Sequence, residues 1–341
     1  MKQAVMTSPG KIEFRDVPVP ETEAGKVLVR MMRIGVCGSD IHVYHGTHPY
    51  TSYPVVQGHE VSGMVERLGE RVSGLRVGDR VTIQPQIFCG KCYPCTHGKP
   101  HICDELKVMG FQTTGAASEL FLVDAEKVLK LPFEMSYDHG AMVEPVSVGV
   151  HALGRGGIAN GMNVLVLGAG PIGNLTSQVA KGLGASKVMI TDLSDHRLEV
   201  ARECGIDMCI NPKKKDLGAA VLEHFGTDKA DLILECVGSN ATIEQAVDVA
   251  RKGSDIIIVG VFGDKPVVDM GLVQDRELRL IGTLMYQKED FRTAIELINT
   301  GTVKLAPLIS NHFAFEDYLK AYEYIEKQKD RTMKVMIDIQ N

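Results

Sequence analysis

The tightest constraint on this chain is a glycine loop near its middle. The apolar run Val164-Leu165-Val166-Leu167 ends in Gly168-Ala169-Gly170-Pro171-Ile172-Gly173, and a helical pattern continues from Ile172 to Leu183. A strand that turns into a helix through G-x-G-x-x-G lets the backbone approach a pyrophosphate. The helix N-terminus then meets the anion with unpaired N–H groups and a favourable dipole. Asp192 follows Gly173 by 19 residues, at the end of the next apolar strand. A carboxylate there accepts hydrogen bonds from an adenosine ribose and repels a 2′-phosphate, so NAD is expected rather than NADP. Gly168, Gly170, Pro171, Ile172, Gly173 and Asp192 are the expected cofactor residues. Arg197 is a further candidate for the ribose, with a solvated helix face as its alternative.

The rest of the chain divides around this loop. Up to about residue 145 it reads as short strands punctuated by Gly and Pro, such as Lys26–Arg30, Val61–Leu68 and Arg80–Ile83, which suggests a small barrel-like β domain. From Asn163 strands that are apolar throughout alternate with helices: Lys187–Thr191, His196–Cys204, Leu232–Cys236, Thr242–Arg251 and Asp255–Val261. That alternation predicts a parallel sheet covered on both faces. A helix at Asp290–Thr300, an amphipathic stretch at Phe315–Lys327 and a last strand at Lys334–Ile339 close the chain. The fold class is α/β, and 341 residues fit two domains.

Charge and composition exclude several functions. A net charge of −6 with no basic stripe argues against nucleic acid; Lys213-Lys214-Lys215, followed by Asp216, reads as a solvated loop. No apolar stretch approaches the roughly 18 residues of a membrane span. The N-terminus lacks the pattern of a secretion signal, so the expected compartment is the reducing cytosol. Eight cysteines are then better read as metal ligands or buried small hydrophobes than as disulfides.

Four of them, Cys89, Cys92, Cys95 and Cys103, fall within fifteen residues with Gly90, Pro94 and Gly98 between them. Four thiolates on a tight lobe close a tetrahedral zinc shell and leave no open position, which is a structural site. A redox pair is the alternative, but it leaves two thiols without a role. A second set is dispersed: Cys37 in Gly35-Val36-Cys37-Gly38-Ser39-Asp40, His59-Glu60 after Gly58, and Glu144 before Pro145. Each alone has an ordinary reading as a core thiol, a satisfied imidazole or a surface acid. Beside a dinucleotide fold they supply a thiolate, an imidazole and carboxylates for an open, catalytic zinc.

On these residues the chain resembles the zinc-dependent medium-chain dehydrogenases along essentially its whole length. The resemblance implies a GroES-like catalytic domain over 1–147, a Rossmann domain over 148–286, and a segment over 287–341 returning to the first domain. It also implies one catalytic and one structural zinc per chain, a small alcohol or ketone substrate, and a homo-oligomer, with a tetramer favoured over a dimer. Cys37, His59 and Glu60 match the catalytic zinc signature. The run Glu144-Pro145-Val146-Ser147-Val148-Gly149-Val150-His151-Ala152 is similar to the sorbitol (polyol) dehydrogenase branch. Liver-type alcohol dehydrogenases use a second cysteine where Glu144 stands, and this chain has no cysteine between Cys103 and Cys204. Glu144 is accordingly favoured as ligand or water-holder, with Glu60 as the competing choice.

One departure and two further likenesses bear on substrate. Polyol dehydrogenases carry an Arg-Tyr pair where this chain has Met285-Tyr286. The segment Cys37–Tyr44 is also similar to threonine dehydrogenases, and Ser52-Tyr53-Pro54 to sugar-acid dehydrogenases. The implied chemistry is reversible oxidation of a secondary alcohol to its ketone, with hydride passing to the nicotinamide. In the family pattern a proton leaves through Ser39 and His42, and Asp40 orients His59. His45 and His48 read as pocket or surface residues. A redox or NAD sensor without enzymatic activity is the reading from another class.

Overall fold

The computed structural model describes Met1–Gln340 and resolves into two compact units. The first takes in Met1–Glu144 and the chain from Ile309 onward, and the second Pro145–Leu308. The expected return over 287–341 therefore begins later. The helix Lys288–Asn299 stays with the second unit, where Phe291 packs on the fully buried Tyr286 at 5.0 Å and Asp290 accepts from His151 at 2.8 Å.

The first unit is built on a seven-stranded sheet. Its main path runs Ile309–Ala314, Lys334–Asp338, Lys26–Gly35, Glu60–Leu68, Arg80–Ile83, Val128–Lys130. The long strand Lys26–Gly35 shares one edge between two partners. Leu120–Asp124 pairs along Lys26–Arg30, and Lys334–Asp338 pairs along Arg33–Gly35. Its other edge meets Glu60–Leu68, which sets Gly35 opposite Glu60. The strand runs to Gly35, five residues past the Arg30 end expected from sequence, because Lys334–Asp338 pairs with its last residues, Arg33–Gly35.

The second unit is a six-stranded parallel sheet in the order Met208–Ile210, Lys187–Thr191, Asn163–Leu167, Leu232–Glu235, Asp255–Ile258, Arg279–Gly282. Its central strands are buried at nearly every position, as a sheet covered on both faces requires. The strand expected over Asp255–Val261 stops at Ile258, because the N–H groups of Val259 and Gly260 turn to the Glu235 carbonyl at 2.9 and 2.8 Å. The helix expected from Thr242 begins at Asn240, capped by Ser239, whose hydroxyl accepts from the Thr242 N–H. The Lys213–Lys215 run lies in the loop before the helix Leu217–Phe225, with Lys214 and Lys215 paired to Asp195 and Glu223. Among the described residues no helix is long and apolar enough to cross a membrane.

Candidate functional site

The strand Lys26–Gly35 delivers the chain to Cys37, which caps the short helix Gly38–Tyr44. His59 and Glu60 enter on the neighbouring strand, just after Gly58, whose φ of +96° lets the backbone turn beneath Ala117. Together Cys37, His59 and Glu60 bring one ligand atom each within 4.8 Å of one another, with His59 and Glu60 fully buried. A thiolate, an imidazole and a carboxylate gathered in this way suit a zinc ion with a fourth position left for substrate. The surrounding charge fits a cation as well. Burial alone would lower the imidazole's pKa, yet Asp40, Cys37 and Glu144 outweigh it and hold His59 well above its ordinary value.

The residues behind these three are fixed in turn. Asp40 Oδ2 accepts from the Cys37 N–H at 2.9 Å, and its Oδ1 lies 3.6 Å from His59 Nδ1. The same Oδ1 accepts from Gln57 Nε2 at 3.0 Å, and Gln57 Oε1 accepts from the Tyr322 hydroxyl at 2.9 Å. Asp40, His59, Gln57 and Tyr322 are all buried. Glu60 is gripped by Lys334, whose Nζ donates to both carboxylate oxygens at 2.7 and 2.6 Å. Glu144 sits in the first turn of the helix Val143–Arg155, buried and close enough for its charge to act on His59, but the three groups that converge are Cys37, His59 and Glu60.

Ser39 and His42 lie three residues apart on the helix after Cys37, Ser39 half-buried and His42 exposed. His45 pairs with Glu326 on the last helix. His48 stacks on Phe111 at 4.7 Å, and Phe111 in turn packs on His59 at 4.9 Å. Phe111 also walls a cavity of about 600 Å³ lined by Gln3, Arg15, Tyr50, Ser52 and Thr114 among others. Sequence reasoning passed over Phe111, Gln57, Tyr322 and Lys334. Only Lys334 left a signal, a charge inside the apolar run Met333–Ile337.

The four cysteines at Cys89, Cys92, Cys95 and Cys103 converge within the same 4.8 Å limit. Gly90 and Gly98, at φ +72° and +71°, make the turns that fold the lobe. Cys103 Sγ stands 3.7 Å from Cys92 Sγ and 3.5 Å from Cys89 Sγ. Backbone N–H groups of Asp104 and Cys95 pull the Cys92 thiol down to about 7, which favours the thiolate a metal binds. Beside it, burial and the neighbouring thiols push Cys95 up to about 12; outside the set burial pushes Cys204 and Cys209 up to about 11 and Cys236 higher still. A third cluster, Asp138, His312 and Asp338, is already served by a guanidinium, since Arg33 Nε lies 2.9 Å from Asp138 and 3.0 Å from Asp338.

In the second unit the strand Asn163–Leu167 ends at Gly168, φ +100°, and Gly170 caps the helix Pro171–Gly182 with Pro171 at its first position. A Cβ on Gly173 would stand 1.8 Å from the Gly168 carbonyl oxygen, so only glycine permits this close turn. Ile172, the next residue of the loop, is half-buried in the first turn of that helix. Asp192 binds the loop to the next strand: its carboxylate accepts from the N–H groups of Ala169 and Ser194, each at 2.8 Å. Arg197 joins them, Nη1 3.8 Å from Asp192, with its buried Nε lacking a partner among the described residues. These two charges and the helix N-terminus form one face suited to a dinucleotide phosphate and ribose.

Comparison with known proteins agrees with this geometry. Residues 23–133 match the alcohol dehydrogenase GroES-like domain and residues 171–300 the zinc-binding dehydrogenase domain. A 2-dehydro-3-deoxy-L-galactonate 5-dehydrogenase of Pseudoalteromonas atlantica is 38% identical over 88% of each chain. Human sorbitol dehydrogenase is 34% identical over 95% of this chain and 92% of its own. An Escherichia coli alcohol dehydrogenase (rspB), solved in complex with NADH, superposes with a TM-score of 0.92 at 32% identity over 99% of both chains.

Proposed function

The chain belongs to the zinc-dependent medium-chain dehydrogenases, near their polyol branch, and we propose that it interconverts a secondary alcohol of a polyol or sugar derivative and the matching ketone, with NAD as hydride acceptor. The observation that carries this reading is the convergence of Cys37, His59 and Glu60, with Phe111 packed on His59.

Zinc at this cluster supplies Lewis acidity toward the substrate oxygen, and NAD supplies the hydride acceptor. Cys37, His59 and Glu60 would hold the metal, with the Asp40 carboxylate behind the His59 ring, 3.6 Å from its Nδ1. Glu144 stands by as the water-holding carboxylate. Ser39 takes the proton of the substrate hydroxyl and His42 releases it to solvent; their gradient from half-buried to exposed along one helix face supports that direction. The four-cysteine lobe holds a second, structural zinc. The loop Gly168–Gly173 cradles the pyrophosphate, and Asp192 with Arg197 receives the ribose.

A sugar-acid substrate is the second reading, favoured by the Pseudoalteromonas relative. The assembly we propose is a cytosolic homotetramer. The edge strand Arg279–Gly282 supports association, since Val261, Val267 and Met270 expose 84%, 77% and 61% of their surface in the segment before it.

Following NADH absorbance across polyols, diols, aldonates, polyol phosphates and 3-hydroxy amino acids tests the activity. Turnover should be highest with a polyol or an aldonate. No NADH from any member, and no ketone reduction in reverse, would sink the proposal.

A further inference from the structure

Lys334 enters the candidate metal centre from the C-terminal strand Lys334–Asp338 and is 3% exposed. Its Nζ donates to both oxygens of Glu60 and to the Val36 carbonyl at 3.2 Å, so all three ammonium protons are spent inside the protein. Glu60 is itself 1% exposed, and the carboxylate that Lys334 grips is the one that converges with Cys37 and His59. One carboxylate thus faces two cation positions. We propose that Lys334 is the positioning residue of the metal centre: it holds Glu60 when the metal is absent, and with the metal present it shares that carboxylate and offsets part of the negative charge of the site.

The charges support this, given the reading that a divalent ion sits at Cys37, His59 and Glu60. A thiolate, a neutral imidazole and one carboxylate cancel the two positive charges of zinc. Glu144 and Asp40, whose charges reach the same buried space, take the sum to −2, and an excess negative charge weakens a Lewis acid. The ammonium of Lys334 offsets one of these negative charges from 2.6 Å away. The C-terminal strand, the last element of the chain, is thereby part of the metal centre without offering it a ligand.

The test is a Co(II) titration of the full-length protein whose four-cysteine set keeps its zinc, read through thiolate-to-cobalt absorption. In Lys334→Met the metal-free form loses the partner of Glu60, whereas the loaded form keeps the metal on that carboxylate. With no ammonium competing for Glu60, Co(II) should therefore bind about tenfold or more tightly than in the wild type. The cobalt d–d bands should shift and kcat with the zinc form should fall. Lys334→Arg should bring affinity and spectrum back toward the wild type.

If Lys334→Met folds only with metal, that is the same result in extreme form. If it folds in neither state, Lys334→Met with Glu60→Gln removes both charges; that protein should fold and bind Co(II) about tenfold more weakly than the wild type. Unchanged or weaker Co(II) binding in Lys334→Met, or wild-type affinity in the double variant, overturns the role of Lys334. A wild-type protein that takes no Co(II) outside the four-cysteine set overturns the metal reading itself, a different outcome.

Discussion

Gly35 stands across the sheet from Glu60, and a methyl group on Gly35 would lie 2.3 Å from Glu60 Oε2. The space above a strand glycine is therefore the berth of the carboxylate that faces Cys37 and His59. Gly35→Ala should push Glu60 off Lys334 or off the metal position. Overpacking of this kind costs about 1–3 kcal/mol. Thermal melting and metal analysis together check it: a melting point and zinc content equal to the wild type would show that Glu60 has another berth.

Glu60 and Glu144 should separate by readout. Glu60→Gln should lower zinc occupancy of the catalytic centre, while Glu144→Gln should keep zinc and lose turnover. Zinc content measured beside kcat decides it. The reverse pattern would exchange the two roles.

Cys95→Ser opens the four-cysteine lobe. Since a structural metal contributes folding energy directly, melting temperature should fall, with activity lost only as a consequence. The whole protein should release two zinc ions per chain on denaturation, and one in this variant.

Asp192→Ala removes both a negative charge at the ribose position and the acceptor that holds Ala169. Two effects follow. The ratio of kcat/KM for NAD to that for NADP should drop by about tenfold or more, the scale of one lost charge-assisted interaction. KM for both cofactors should rise, because the glycine loop is no longer tied to the next strand. A variant with the wild-type ratio would place cofactor choice elsewhere.

Tyr322→Phe deletes the hydroxyl that donates to Gln57, which in turn donates to the Asp40 carboxylate beside His59. Stability should fall by about 1 kcal/mol. Zinc affinity should fall too, since the orientation of a ligand imidazole depends on the carboxylate behind it. Tyr322→Leu should lower stability further, because the buried ring packed on Tyr44 and Tyr318 is lost with the hydroxyl. Denaturant melts and metal competition give the two numbers.

Much of this site is legible in the order of residues along the chain. The glycine loop, the acid after the next strand, and the four cysteines declare themselves because their chemistry is local: a turn, a helix start and a metal lobe are each built from residues a few positions apart. The parallel sheet is legible for a similar reason, since strands buried on both faces must be apolar at every position. The ends of elements are less so. Asp255–Ile258 stops where the Glu235 carbonyl captures two later N–H groups, a contact no local pattern encodes.

Sequence alone determined the fold class, the cofactor loop and the inventory of possible ligands. Tertiary structure decided which of them meet. Glu144, favoured from its place in the family pattern, sits beside the convergence, and Glu60 joins it because strand register sets Glu60 over Gly35. Lys334 reaches the same carboxylate from 274 residues away, and Tyr322 reaches Gln57 from 265. Pairing of that kind depends on the register of strands and the docking of a C-terminal helix, where each buried charge and hydroxyl must find a partner. Spacing along the chain carries no record of it.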